Sequence, residues 1–208
     1  MGSVPAPKGK SQVVREPLRL AHIAVIVVGV ALLASLSAYD ALWFDESYSV
    51  ALVRHPLGEI WRIASSDVHP PLYYYLLKLV WLPFPDDVVA YRLFSVAALG
   101  CLSLLGYTHL RRDFGGRVGI AFSFLTLVSP WSFRMSSQIR MYSWAALFVG
   151  VCLIYGLRII RALREARPGE AAPTLPRHWW VILGLSSAAA ANCHYFALMA
   201  AFSVNLCV

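Results

Sequence analysis

Apolar and polar positions along this chain fall into long blocks. Residues 20–38, 93–110, 118–133 and 141–160 are apolar runs with almost no charge. At about 1.5 Å per residue, helices of this length cross, or nearly cross, a hydrocarbon core of about 30 Å. A fifth run, 179–208, is too long for one helix. It divides near Asn192 to Tyr195 into a span over 179–196 and the start of another over 197–208. Because the run reaches Val208 with no polar flank, the chain is expected to be one part of a longer membrane domain.

Between the first and second spans the pattern changes. Residues 39–92 mix polar and apolar positions on a shorter scale. After Pro56, the residues Leu57, Ile60, Trp61 and Ala64 follow i, i+3, i+4, i+7 spacing, which predicts an amphipathic helix lying at a membrane surface. A second apolar stretch over 72–82 starts behind Pro70-Pro71, a good helix start, and ends before Pro83 and Pro85. It gives roughly 17 Å of helix, too short to cross, with Lys78 in its middle. It is therefore expected to be interfacial or re-entrant.

Charge tests this arrangement. With the N-terminus in the cytoplasm, twelve of the eighteen basic residues fall on the inner side, in the tail 1–19, around Arg111, Arg112 and Arg117, and in the loop 161–178 with Arg158 beside it. Seven of the eleven acids fall outside. That satisfies the positive-inside rule. If 72–82 crossed fully, both later basic clusters would lie outside. The first span resembles a signal peptide only weakly, through Ser35-Leu36-Ser37. Its length and the spans behind it predict an uncleaved helix.

Composition agrees. The chain has 208 residues, 59% of them hydrophobic, and a mean hydropathy of +0.61. A soluble globular domain is excluded, and an all-α multi-pass protein of the cell (inner or plasma) membrane is expected, in contact with membrane lipids. The net charge of +7 then reports orientation. No basic stripe interleaved with aromatics is present, so no nucleic-acid role is expected. Cys101, Cys152, Cys193 and Cys207 lie in apolar runs without CxxC spacing and read as small hydrophobes.

Four polar groups from separate segments share the outer side: Asp45/Glu46, Asp67/His69, Arg134 to Arg140, and His194/Tyr195. Ionisable groups near a bilayer are costly, so their convergence hints at function. A carboxylate there can take a proton from an attacking hydroxyl. The plain alternative for Asp45 and Glu46 is a favourable helix N-terminus. His69 is either a turn residue held extended by Pro70, a donor to phosphate or sugar, or a ligand, with Asp45 and Asp67, of a divalent metal. Without close metal spacing such as HxxxH, hydrogen bonding ranks above metal binding; the residues assign no cofactor, and a divalent metal stays open. Outward arginines suit a phosphate, which guanidinium binds through paired hydrogen bonds, and equally suit lipid headgroups. Tyr142, Trp131 and Trp144 fit an aromatic belt. Asn192 is expected to bond between helices, and His194 to join the site.

Taken in order, WFDESYSV, DVHPPLYYYLLK, YRLFSVAALG, SQIRMYSWAAL and NCHYFAL resemble bacterial membrane glycosyltransferases of the family-39 type. These are similar to protein O-mannosyltransferases and aminoarabinose transferases of the GT-C fold. The resemblance covers about Asp40 to Leu198. It implies a GT-C-type N-terminal transmembrane region whose extracytoplasmic first loop carries interfacial helices. It also implies an inverting transfer from a polyprenyl-phosphate-linked sugar to a hydroxyl or phosphate of a lipid, glycan or protein in the cell envelope. Asp45 would be the general base, with Glu46 in support. His69, Arg140, Tyr142 and His194 would bind the donor phosphate. Asp67, Pro70, Pro71, Gln138 and Tyr195 would shape the pocket. Relatives often carry an acid where this chain has Gln138, which counts against a metal or second-acid role there but leaves a hydrogen bond to sugar. The absence of Walker-type and GxGxxG loops suits a lipid donor. The rival reading is a non-catalytic membrane protein that binds or transports a lipid phosphate.

Overall fold

Three helices are long and apolar enough to cross a membrane in the computed structural model of this chain: Pro17–Leu36, Val88–Phe114 and Tyr142–Arg164. The structure describes residues 15–38, 41–67, 69–165 and 173–208. Among these residues every regular element is helical. In order they are α1 (Arg15–Leu36), α2 (Phe44–Val53), α3 (Leu57–Ser65), α4 (Leu72–Trp81), α5 (Val88–Leu105), α6 (Gly116–Val128), α7 (Pro130–Ser136), α8 (Tyr142–Arg164), α9 (Arg177–Cys193) and α10 (Tyr195–Cys207). Helix α5 continues through a π turn, Gly106–Leu110, into Arg111–Phe114. Residues 1–14 of the expected tail 1–19, and most of the linker 167–176, lie outside the described residues.

Helix ends depart from the expected spans for local reasons. Residues 15–19, expected in the tail, already belong to α1. The second span extends both ways from 93–110, because Asp87 caps α5 by accepting from the amides of Val89 and Ala90 at 3.0 and 3.1 Å. The expected single span over 118–133 is broken: α6 and α7 meet at 56°. The cause is Ser129-Pro130. Proline offers no amide to continue α6 and forces its predecessor extended, and Ser129 instead caps α7 through the Ser132 amide at 3.2 Å. Counted as one crossing, the bent pair would raise the number of apolar crossings to four.

Small residues let the long helices approach. A Cβ on Gly106 would meet Ser123 Oγ and the Gly119 carbonyl of α6, and one on Gly156 of α8 would meet Val204 of α10. Such close approach is what holds apolar helices together where lipid supplies no hydrophobic contrast. Cys152 and Cys193 are buried between helices, whereas Cys101 and Cys207 are exposed, so only half the cysteines fill the interior. Asn192 does not bond across helices as expected. Its amide donates to Ala188 O of its own helix at 2.9 Å, because its side chain is exposed rather than turned to a neighbour.

Helices α2, α3 and α4 fold back over the bundle end where α1 stops, α5 and α8 begin, and α9 turns into α10. Helix α4 is the anchor: Tyr73, Tyr74 and Leu77 are fully buried, and burying Leu77 alone contributes about 1.5–3 kcal/mol. Lys78 is not idle in its middle. Its ammonium donates to Val53 O at 2.8 Å and His55 O at 3.0 Å, closing the carbonyl end of α2. In α3 the expected apolar face splits. Ile60 and Ala64 are buried, while Leu57 and Trp61 stay 57% and 56% exposed. Asp86 adopts φ 62°, rare for a non-glycine, and is held by its amide donating to Tyr91 Oη at 2.7 Å and by Arg54 at 2.8 Å.

Candidate functional site

Helix α2 places two neighbouring acids in opposite environments. Glu46 is 1% exposed, and both of its oxygens are fully occupied. Oε1 accepts from the Ile139 amide at 2.9 Å and Arg92 Nε at 3.2 Å, and Oε2 from the Trp43 amide at 2.9 Å and Arg92 Nη2 at 3.1 Å. Arg92 also donates to the carbonyls of Ser37 and Ala41, at 3.2 and 3.1 Å. This one pair therefore ties together the end of α1, the start of α2, the first turns of α5 and the loop before α8. Such a buried pair holds only because its remaining hydrogen-bonding capacity is met.

Asp45, one residue earlier, points the other way. Its side chain is 62% exposed, and Oδ2 lies 3.9 Å from Arg140 Nη2. Arg140 itself is only 6% exposed. It donates Nη1 to Asp45 O at 3.3 Å and Nη2 to His69 Nε2 at 3.2 Å, and its buried Nε has no partner. Since a guanidinium only donates, His69 Nε2 must accept, which puts the neutral imidazole's proton on Nδ1. That Nδ1 is 3.8 Å from Asp67 Oδ2, too far for a hydrogen bond, and is also buried without a partner. Burial and then the Arg140 charge push the His69 pKa below its ordinary value, in agreement with the geometry.

The surroundings are aromatic. The His194 ring lies 5.9 Å from His69 and 5.4 Å from Tyr142. His194 is extended and caps α10, its Nδ1 accepting from the Phe196 amide at 3.1 Å, which leaves Nε2 for other chemistry. Burial, followed by the nearby Asp67 carboxylate, raises the Tyr48 pKa. The hydroxyls of Tyr73 and Tyr74, both within electrostatic reach of Arg140, are buried and unpartnered. Native interiors rarely leave such atoms unmet. Here Arg140 and three residues around it, His69, Tyr73 and Tyr74, each carry one.

A cleft of about 240 Å³ opens beside them, lined by Asp45, Arg140, Tyr142, Gln138 and Trp43 among others. Arg140, Asp45, His69, Asp67, His194, Tyr142 and Gln138 are thus brought to one end of the bundle. Pro70 and Pro71 are buried under the turn that carries His69. Tyr195 is exposed at the head of α10 and does not line the cleft. Asp45, Asp67 and His69 do not form a metal set: among the described residues no three His, Cys, Asp or Glu side chains gather to hold an ion.

No family model, no curated protein and no solved structure matches this chain. The resemblance to family-39 transferases therefore rests on the motif residues alone.

Sequence reasoning left Arg92 without a role, although an arginine five residues past Asp87 in an otherwise apolar run was a signal for a buried partner. It also missed Trp43 as a wall of the cleft and Tyr48 as a neighbour of Asp67. Neither has a local signal, because each is defined by what folds over it.

Proposed function

We propose that this chain forms part of a membrane glycosyltransferase of the GT-C type. It would move a sugar from a polyprenyl-phosphate donor to a hydroxyl or phosphate acceptor on the extracytoplasmic side. The observation that carries the reading is the pairing of Arg140, a buried guanidinium with an unmet Nε, with Asp45, an exposed carboxylate 3.9 Å from it on the same cleft. An anion bound at Arg140 would satisfy the donors crowded there and lie beside a base.

In this reading Arg140 and the Nδ1–H of His69 hold the donor phosphate. The acceptor hydroxyl attacks the anomeric carbon from the opposite face. Its proton passes to Asp45, the new carbon–oxygen bond forms, and the old one breaks with its electrons leaving on polyprenyl phosphate. Charge grows on that phosphate as the bond breaks, and a preorganised guanidinium in a dry site stabilises it. Glu46 and Arg92 touch no substrate; they hold α2 and the 137–141 loop so that Asp45 and Arg140 face one cleft.

The test is transfer of label from radiolabelled polyprenyl-phosphate sugars by membranes containing the protein. The reading expects label in an acceptor fraction with at least one donor. Donor binding without transfer from any donor would replace it with a lipid-phosphate carrier.

A further inference from the structure

The cleft does not end at Asp45. A second cavity of about 400 Å³ adjoins the first and shares Trp43, Glu46, Arg134 and Gln138 with it. Asp45 and Arg140 line only the first cavity, while Pro130, Phe133 and Ser137 line only the second. Arg134 stands at the junction. It is exposed in the last turn of α7, and among the described residues no carboxylate pairs with it. Trp43 and Trp131, 61% and 48% exposed, line the first cavity. The cleft thus has two guanidinium groups and a single exposed carboxylate, Asp45.

We propose that Arg134, Trp43 and Trp131 form an acceptor subsite for a sugar that carries a phosphate or carboxylate. This rests on the glycosyltransferase reading above and names its acceptor class. Donor phosphate occupies Arg140, beside His69. A displacement at Asp45 then needs its acceptor in the same cleft, and the other guanidinium that lines it is Arg134. Indoles offer flat apolar faces to the C–H faces of a sugar ring, and the guanidinium binds an oxyanion through two parallel hydrogen bonds. A neutral acceptor would leave Arg134 unpaired. The anionic group serves as an anchor, while the sugar's own hydroxyl attacks: its oxygen bonds to the donor's anomeric carbon, its proton goes to Asp45, and polyprenyl phosphate departs.

The experiment has two arms, both on the protein in lipid nanodiscs. The first needs no donor: calorimetric binding of a hexose 6-phosphate, of the unmodified hexose, and of a lipid-linked phosphohexose, to wild type, Arg134→Gln and Arg134→Lys. The phosphorylated sugar is expected to bind at least tenfold more tightly than the neutral one. Arg134→Gln should erase that preference, and Arg134→Lys, which keeps the charge without the fork, should retain part of it. Preference for both phosphorylated forms marks a free glycan, and preference for the lipid-linked form alone marks a headgroup; both support the subsite. Equal binding of phosphorylated and neutral sugar by wild type, or an unchanged preference in Arg134→Gln, overturns it. The second arm adds labelled donor and reads the acceptor KM, which should rise at least tenfold in Arg134→Gln. Selective binding without transfer would leave the anion subsite standing and refute the transferase reading instead.

Discussion

Asp45 and Glu46 are adjacent in sequence and meet adjacent partners, Arg140 and Ile139, on the same loop. The two halves of the site built on them differ in one respect. Around Glu46 both carboxylate oxygens are fully paired, and the arginine that completes the pair is itself bonded to two carbonyls. Around Asp45 the arginine has an unmet Nε, the histidine an unmet Nδ1, and two tyrosines unmet hydroxyls. Both halves bury charge, which is expensive. Glu46 recovers that cost within the protein, whereas beside Asp45 buried polar atoms are left without a protein partner, which in the proposed function the donor phosphate would supply. Unmet buried atoms also occur singly elsewhere, at His22, Trp81 and Trp144, so what sets the Asp45 side apart is that several of them gather round one buried arginine beside an exposed carboxylate.

The sharpest way to break the contrast is to open the closed half. Arg92→Met strands the Glu46 carboxylate in the interior and should cost about 3–5 kcal/mol, seen as a large drop in melting temperature in detergent. Adding Glu46→Leu to Arg92→Met removes the stranded charge and should recover part of that loss. Failure to recover any would mean that the bonds to the Ile139 and Trp43 amides, not the ion pair, dominate.

On the open side the effects should fall on binding. Arg140→Gln removes charged hydrogen bonds worth about 1.5–3 kcal/mol. It should therefore weaken binding of a short-chain polyprenyl phosphate at least tenfold in a competition assay, with a smaller change in melting temperature than Arg92→Met.

The smallest effect is a pH dependence. Unfolded, His69 titrates near its ordinary value of 6.5; folded, burial and Arg140 hold it lower. Between the two values the unfolded chain binds more protons. The stability due to neutral His69 is therefore complete above 6.5, is lost as pH falls toward the folded value, and falls no further below it. Melting curves of wild type minus His69→Gln, from pH 7.5 to 5, should show that slope. A difference that stays flat would mean that burial and Arg140 do not hold His69 below its ordinary value.

Much of the helical scaffold was legible because it follows from periodicity and caps. The apolar runs became α1, α5 and α8, and the proline-bounded stretch 72–82 became α4. One misplaced feature was local, and other features depend on partners distant in sequence. The break at Ser129-Pro130 had a local signal that the apolar composition around it masked. What Lys78 bonds to, the carbonyl end of α2, could not be read from its place in the middle of α4. For the site, residue types at a shared depth foretold that Asp45, His69, Arg140 and His194 would meet. That Glu46 is sealed by Arg92, 46 positions away, could only come from the fold.

The most direct test sets the two acids side by side. Asp45→Asn and Glu46→Gln are made in the same background, and each is assayed for melting temperature and for label transfer from a polyprenyl-phosphate sugar. Asp45→Asn should melt within about 0.5 kcal/mol of wild type, as exposed substitutions do, yet lose roughly 10²–10⁴-fold in transfer, the range for a general base. Glu46→Gln should melt well below wild type, because its amide group cannot accept all four hydrogen bonds. Wild-type transfer by Asp45→Asn, or an unchanged melt for Glu46→Gln, would contradict the division into site and frame.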